Sequence, residues 1–266
     1  MRVLISQMKP YLGNVEKNME KMVNVIQEGI DKKCEVVVFP ELALNGTILG
    51  DASFDVCISS IPVKLREMSN EITIIFGAVE EEKGKLYNSA YVIEDGELIG
   101  KHRKTFLSNM NGVCESRYFT KGNEIKVIVS KYGKFGICLG EEMLNPVIRE
   151  ILSEAGAEVT FNLVNLCVSE DTDIYEGALK SSSYYSKNFN VFVNRVGVED
   201  GVTFSGNSFV ISPYGKNIEK IEKFIEKSSI IDIDLNFIKK ASFKSSFDKE
   251  SNLSILYKEF GKIMVK

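Results

Sequence analysis

The most constraining feature of this sequence is the alternation of short strand-like runs with amphipathic segments along most of the chain. Runs of strand length occupy residues 2–7, 35–39, 135–139 and 158–163. Residues 14–31 instead place apolar side chains three and four positions apart, which is typical of a helix packed on one face. Because strands that alternate with helices bury a sheet between helical layers, we expect an α/β fold with a mixed sheet.

The same patterns predict the remaining elements. Asp95-Gly96 is a strong hairpin turn between two of the strands. No segment rich in proline, glycine or serine divides the chain, so we expect a single domain over 1–266, with 239–266 as a C-terminal tail. The other predicted strands are 72–79, 86–94, 97–101, 125–129, 191–198, 207–211, 218–221 and 230–235, and the other predicted helices are 146–155 and 174–188.

Composition excludes several classes of function. The chain has 266 residues, and 33 Lys and Arg against 37 Asp and Glu give a net charge of −4, so we expect neither nucleic acid nor a membrane surface as a partner. His102 is the sole histidine, and the five cysteines form no CxxC pair, so we expect no metal site. The odd cysteine count and the absence of an export signal at the N-terminus predict a cytoplasmic location.

Three stretches place a polar side chain at or near the end of a predicted strand, where α/β sheets collect ligand and catalytic groups. They are residues 39–46, 102–107 and 135–142, and they contain Glu41, Lys104 and Cys138. Singly, each residue also fits an ordinary structural role, as a solvated carboxylate, one charge in a surface run and a small buried side chain. No nucleophile elbow, phosphate-binding loop or dinucleotide fingerprint is present.

Taken together and in this order, the stretches resemble the nitrilase superfamily of carbon–nitrogen hydrolases. Phe-Pro-Glu at 39–41 and His-Arg-Lys at 102–104 match two motifs of that family, and residues 112–119 resemble the branch that includes the glutaminase domain of NAD synthetase. The resemblance implies an α-β-β-α sandwich with mixed sheets. It also implies that Glu41 is the general base, that Lys104 stabilises the oxyanion, and that Glu115 holds Lys104 in place.

The resemblance continues through residues 156–159, 194–197 and 204–209, which look like later strands of that branch. It implies a small amide or carboxylate ligand, no cofactor and a homo-oligomer. The substrate-binding residues that it implies are Glu141, Asn165, Asn194 and Arg195.

The nucleophile position departs from the family pattern, in which a Gly is followed four residues later by the catalytic Cys, then by an acidic residue and a Pro. Counting from Gly136 places the acidic residue at Glu142 and the proline at Pro146, so Gly140 occupies the cysteine position. Cys138 lies two residues earlier, about 6–7 Å away along a strand. A reacting atom must approach within about 3–3.5 Å, so a rigid Cys138 would miss a substrate placed for position 140.

Three functions remain open on this sequence. The first is a binding or regulatory protein that keeps Glu41, Lys104 and Glu115 around a polar pocket but has lost cysteine-dependent hydrolysis. The second is an active amidohydrolase for a small carboxamide such as the glutamine side chain, using Cys138 or a water activated by Glu41. The third is a structural or assembly role in which the fold only supplies a surface.

Overall fold

The computed structural model describes residues 1–109, 114–244 and 253–264. Gly112 and Val113 of the motif at 112–119 lie outside these ranges. So do residues 245–252 of the predicted tail. The helices within them are α1 (Val15–Asp31), α2 (Val63–Met68), α3 (Glu115–Tyr118), α4 (Pro146–Glu154), α5 (Thr172–Ser186), α6 (Asn236–Lys244) and α7 (Leu253–Met264).

The strands follow the same chain order and alternate with these helices in the two halves of the molecule. They are β1 (Arg2–Gln7), β2 (Val36–Val38), β3 (Thr73–Glu82), β4 (Lys85–Glu94), β5 (Glu97–Arg103), β6 (Ile128–Ser130), β7 (Gly133–Leu139), β8 (Val159–Val164), β9 (Phe189–Asn194), β10 (Val196–Glu199), β11 (Val202–Ser205), β12 (Phe209–Ile211), β13 (Asn217–Lys220) and β14 (Lys227–Asp232).

Two six-stranded sheets form the centre of the molecule, with strand orders β14-β1-β2-β3-β4-β5 and β13-β12-β9-β8-β7-β6. In the first, β1, β2 and β3 are parallel and the outer pairs are antiparallel. In the second, β7, β8 and β9 are parallel, again with antiparallel strands outside. Both sheets are therefore mixed, as predicted.

Apolar side chains of both sheets meet in one buried cluster, which includes Val3 and Val38 from the first sheet and Ile137 and Val191 from the second. On the outer face of the first sheet, α1 and α2 cover a second cluster. On the outer face of the second sheet, α4 and α5 cover a third cluster. The layers are therefore helix, sheet, sheet and helix, which confirms the predicted α-β-β-α sandwich.

Local sequence signals explain where two of the covering helices begin. The Asn14 side chain accepts a hydrogen bond from Lys17 N at the start of α1, and α1 buries Met22 and Ile26 one turn apart. Pro146 occupies the first turn of α4, where its missing N–H costs no helical hydrogen bond. These two helices agree closely with the predicted ranges.

The predicted C-terminal tail contains two helices, which the sequence interpretation missed. The prediction of a tail relied on the Lys, Ser and Phe content of residues 239–250, although α6 already covers 236–244 and buries Ala241. Every described residue of α7 is exposed. That interpretation overlooked apolar side chains three and four positions apart in α7, namely Leu253, Leu256, Tyr257, Phe260, Ile263 and Met264. No helix within the described ranges is long and apolar enough to cross a membrane.

Candidate active site

Lys104 lies just after β5 with its ammonium group buried between the two sheets' strand ends. Its Nζ lies 2.9 Å from Glu41 Oε1, in the loop after β2, and 2.9 Å from Glu115 Oε2, at the start of α3. All three side chains are less than 5% exposed. Residues that are 63 and 11 positions away from the lysine in sequence thus meet at one charged centre.

Asn88 on β4 connects the two carboxylates. Its Nδ2 donates to Glu41 Oε1 at 2.8 Å and to Glu115 Oε1 at 2.9 Å. Ser108 N donates to Glu115 Oε2 at 2.6 Å, which fixes the second carboxylate. Sequence reasoning missed Asn88, because an amide next to Ser89 in the strand carries no pattern of its own and only the structure shows that it is fully buried.

The charges of this cluster are unevenly balanced. Burial raises the pKa of Glu41 to about 8, because Lys104 offsets the cost of burying the carboxylate only in part and two further carboxylates oppose its ionisation. Burial alone would lower the pKa of Lys104, but Glu41, Glu115 and Glu141 raise it well above its ordinary value. The cluster therefore holds a charged lysine beside a glutamate whose protonated form is favoured by burial and by the neighbouring carboxylates.

Gly140 follows β7 and turns the chain at φ +54°, in the left-handed region that glycine adopts without strain. A Cβ atom built on Gly140 would lie 2.5 Å from Lys104 Nζ and 3.3 Å from Glu41 Oε2. Position 140 therefore points directly at the predicted base and the predicted oxyanion group. Lys104 Nζ occupies the space that a side chain at this position would need.

The carboxylate of Glu142 connects the turn at Gly140 to the end of β5. Its Oε2 lies 2.7 Å from His102 Nε2 and accepts from Leu139 N at 2.9 Å, while Oε1 accepts from Thr105 N at 2.6 Å. Although burial opposes ionisation, the His102 ring and these hydrogen bonds lower the pKa of Glu142 to about 2. Glu142 is thus ionised, and its hydrogen bonds fix the positions of residues 104 and 140 relative to each other.

Cys138 is not brought to the charged centre. Its side chain is fully buried in the cluster under α4, with Met143 and Ile148, on the helix-facing side of β7. Burial, with a smaller contribution from the Glu142 charge, raises the pKa of the Cys138 thiol well above its ordinary value. The positive φ at Gly140 separates the two positions, because the chain no longer continues the strand alternation there. No bulge places this thiol beside Glu41.

A cavity of about 40 Å³ lies beside Lys104. Glu141 belongs to its wall, and Glu141 Oε2 lies 3.6 Å from Lys104 Nζ. Asn165 also belongs to the wall, with Nδ2 3.4 Å from Thr47 Oγ1. The residues that line the cavity are Thr47, Lys104, Ser108, Glu115, Glu141, Asn165, Cys167, Glu170, Val202 and Phe204.

Asn194 and Arg195 lie behind this wall and do not line the cavity. Asn194 Oδ1 accepts from Leu166 N at 3.0 Å. The Arg195 guanidinium pairs with Glu199, lies 3.1 Å from Thr47 Oγ1, and sits 4.2 Å from the Phe204 ring centre. These two residues support the wall in this structure, because the strand end at β9 turns their side chains into the protein.

Sequence reasoning missed several wall residues, namely Thr47, Ser108, Cys167, Glu170, Val202 and Phe204. Only Phe204 had a signal, since it begins the segment 204–209 that resembles the family. The others come from loops whose folding back over the sheet edge depends on long-range contacts. The backbone of Cys167, for example, forms an isolated β-bridge with the backbone of Phe204, which lies 37 positions later.

A larger groove of about 700 Å³ lies between α4, α5 and α7. Apolar side chains such as Ile151, Leu256 and Phe260 dominate its lining, and none of the predicted site residues belongs to it. Its chemistry differs from that of the small cavity, which gathers a lysine, a thiol and three carboxylates. The small cavity is therefore the candidate active site.

Comparison with known proteins gives a consistent result. The family model described as "Carbon-nitrogen hydrolase" matches residues 2–243. A glutamine-dependent NAD(+) synthetase of Aquifex aeolicus is 30% identical over 250 residues, covering 90% of this chain and 43% of that protein. A probable nitrilase of Schizosaccharomyces pombe is 28% identical over 239 residues, covering 85% of each chain.

Among solved structures, the glutamine-dependent NAD+ synthetase of Acinetobacter baumannii superposes with a TM-score of 0.80 at 25% identity. The match covers 89% of this chain and 46% of that one. This chain thus spans less than half the length of the NAD synthetases that it matches.

Proposed function

This chain belongs to the carbon–nitrogen hydrolase family, and from that premise we propose that it binds a small carboxamide beside Lys104 without using position 140 as a nucleophile. One observation carries the proposal. A side chain at position 140 would point at Glu41 and Lys104, yet this residue is a glycine, and Lys104 Nζ occupies the space where its Cβ would stand. A thiol-dependent reaction at this position therefore has a base and an oxyanion group but no sulfur.

The charges favour an amide over a carboxylate ligand. Glu115, Glu141 and Glu170 line the cavity together with Lys104, so a further anion would meet net negative charge there. A neutral carboxamide can instead accept a hydrogen bond from Lys104 and donate its N–H groups to carboxylate oxygens. Each hydrogen-bond donor of the carboxamide then faces an acceptor of the cavity, and its carbonyl oxygen faces a donor.

The cavity size limits which part of a ligand can enter. A cavity needs about 10–15 Å³ to hold one water molecule, so this cavity of about 40 Å³ accommodates about three heavy atoms. That is the size of a carboxamide group. The rest of a larger amide would have to remain outside or displace the cavity wall.

A second candidate function is hydrolysis by a water molecule that Glu41 activates. Glu41 Oε2 is fully buried, has no hydrogen-bond partner among the described residues, and lies 3.3 Å from where a Cβ on Gly140 would stand. An unpartnered carboxylate oxygen is well suited to hold such a water. Because the pKa of Glu41 is raised to about 8, this alternative predicts a hydrolysis rate that increases as the pH rises through 8.

The proposal is tested by measuring ammonia release from glutamine and a panel of small amides by the natural protein and by Gly140→Cys. We expect the natural protein to stay at the uncatalysed rate and Gly140→Cys to exceed it at least a hundredfold. Gly140→Ala is the matched control, because it introduces the same Cβ and backbone strain without a thiol. Binding is measured in parallel as the rise in the melting temperature of the natural protein when propionamide is added.

Ammonia release by the natural protein that is lost in Glu41→Gln would contradict the proposal and support water-dependent hydrolysis. No thermal shift with any amide would contradict amide binding and favour the structural or assembly role. Two further expectations also remain proposals, a homo-oligomeric state and a cytoplasmic location. The exposed apolar side chains of α7, such as Tyr257 and Met264, support the first of these.

A further inference from the structure

Asn88 contacts the three charged residues at the centre of the candidate site. Its Nδ2 donates to Glu41 Oε1 at 2.8 Å and to Glu115 Oε1 at 2.9 Å. Its backbone carbonyl accepts from Lys104 N at 2.8 Å, directly after the end of β5. Asn88 is fully buried on β4, so these contacts lie away from solvent. One residue thus holds two carboxylates by its side chain and the lysine by its backbone.

The chemistry of its neighbours fixes which way the Asn88 amide faces. Carboxylate oxygens accept hydrogen bonds, so the NH₂ group must face Glu41 and Glu115 and Oδ1 must turn away from them. In that orientation Oδ1 is buried without a partner among the described residues. A buried amide oxygen that lacks a donor lowers stability. Asn88 therefore loses one hydrogen bond in order to hold both carboxylates, and such compromises are typical of functional positions.

The hydrogen-bond donors of Lys104 show what the amide makes possible. The ammonium group carries three N–H groups. Nζ lies 2.9 Å from Glu41 Oε1, and 2.9 Å and 3.1 Å from the two oxygens of Glu115, which together occupy two of the N–H groups. Glu141 Oε2, at 3.6 Å, is beyond hydrogen-bonding distance, so the third N–H has no acceptor among the described residues. Lys104 lines the cavity, where that N–H is available to a ligand.

We propose that Asn88 is the positioning residue of the amide site: it holds the two carboxylates in place and so leaves the third N–H of Lys104 for the carbonyl oxygen of the ligand. The inference rests on the proposed amide binding. Without the Asn88 amide, Lys104 would be the only donor to both Oε1 atoms among the described residues. Its ammonium group would then be drawn towards the carboxylates and away from the cavity.

Threonine and valine at position 88 separate the effect of the donor from the effect of shape. The two side chains have nearly the same shape and both suit a strand, but Asn88→Thr keeps a hydroxyl that can donate once, whereas Asn88→Val donates nothing. We expect the dissociation constant of propionamide, measured by calorimetry, to rise at least about tenfold in Asn88→Val. The rise in Asn88→Thr should be smaller, because one donor remains.

Asn162→Thr and Asn162→Val are the matched controls. Asn162 is also a fully buried amide in a strand, β8, and its Oδ1 likewise lacks a partner among the described residues. Its Nδ2, however, donates to Asn190 Oδ1 and to two backbone carbonyls rather than to carboxylates. These variants should lower the free energy of unfolding, as the Asn88 variants do, but leave propionamide binding unchanged.

The proton of Glu41 gives a second measurement, which needs no ligand. A donor to Glu41 Oε1 stabilises the ionised carboxylate, so its removal should raise the pH at which Glu41 loses its proton. Infrared difference spectra between each protein and its Glu41→Gln counterpart follow that proton. We expect the midpoint to rise by about one pH unit in Asn88→Val, to rise less in Asn88→Thr, and to stay unchanged in the Asn162 variants.

The inference would be overturned by an unchanged propionamide affinity or an unchanged Glu41 midpoint in Asn88→Val, or by equal losses of binding in the Asn88 and Asn162 variants. If Asn88→Val does not fold, Asn88→Thr decides by the same two measurements. If the natural protein gives no heat with propionamide, the proposed function fails. The Glu41 midpoint then decides on Asn88 by itself, since a shift supports its positioning role and no shift contradicts it.

Discussion

Two neighbouring residues at the end of β5 make opposite kinds of ion cluster. Arg103 pairs with Glu80, which also receives Ser89 Oγ at 2.5 Å and Lys101 Nζ. Burial opposes ionisation of Glu80, but these donors together lower its pKa to about 2. One residue later, Lys104 faces three carboxylates, and the pKa of Glu41 is raised to about 8.

The difference lies in how many donors each carboxylate receives. Glu80 has two cations and a hydroxyl, so both of its oxygens are satisfied and its ionised form is stabilised. Glu41 shares one lysine with Glu115 and Glu141 and keeps one oxygen without a partner among the described residues. The first arrangement stabilises the fold, whereas the second keeps polar groups available for a ligand, which is typical of functional sites.

The largest expected effect comes from removing the cation of each cluster. Lys104→Met should lower the free energy of unfolding at pH 7 by about 3–5 kcal/mol, because it leaves buried carboxylates uncompensated. Lys101→Met is the matched control and should cost less than about 1 kcal/mol, since Lys101 is partly exposed and Arg103 still holds Glu80. Denaturant unfolding measures both, and equal losses would contradict the comparison.

The next effect is the opposite pH dependence of the two glutamates. The folded chain keeps the Glu41 proton up to about pH 8 whereas the unfolded chain releases it near pH 4.5, so Glu41 lowers the free energy of unfolding as the pH rises between these values. Glu80 instead contributes stability that is present above its ordinary pKa and is lost as the pH falls towards 2.

The free energy of unfolding of Glu41→Gln, obtained from thermal unfolding, should therefore rise relative to that of the natural protein between pH 5 and pH 8, by an amount on the order of a few kcal/mol. That of Glu80→Gln should lie below that of the natural protein at neutral pH and approach it only near pH 2. Thermal unfolding followed by circular dichroism at five pH values measures both. Parallel curves for the two variants would contradict the assigned pKa directions.

The smallest effect tests how tightly Lys104 fills the space at position 140. Gly84→Ala, in the turn between β3 and β4, should cost about 1–2 kcal/mol from backbone strain alone, because Gly84 has φ +74° and open space around it. Gly140→Ala should cost at least about 1 kcal/mol more, since its Cβ would overlap Lys104 Nζ. Equal losses in unfolding free energy would show that the lysine moves aside freely.

Much of the architecture could be predicted from local patterns. Strand runs such as 35–39 and 135–139 and the helix at 14–31 have periods that are legible within a few residues. The helices at 236–244 and 253–264 escaped prediction because that segment was judged by its Lys, Ser and Phe content, and the strand at 202–205 because it pairs in a small hairpin with β10. Short elements depend on their partners more than on their own sequence.

For the candidate site, the sequence determined which residues approach the centre, because resemblance to the family motifs assigns Glu41, Lys104 and Glu115, and counting from Gly136 assigns Gly140. Only the tertiary structure decided how the loops close over them. It turned Arg195 behind the wall, placed Cys167 beside Glu170 in the cavity, and placed Lys104 Nζ where a side chain at position 140 would stand. The physical reason is that these outcomes depend on packing and charge between segments far apart in the chain, which no local pattern records.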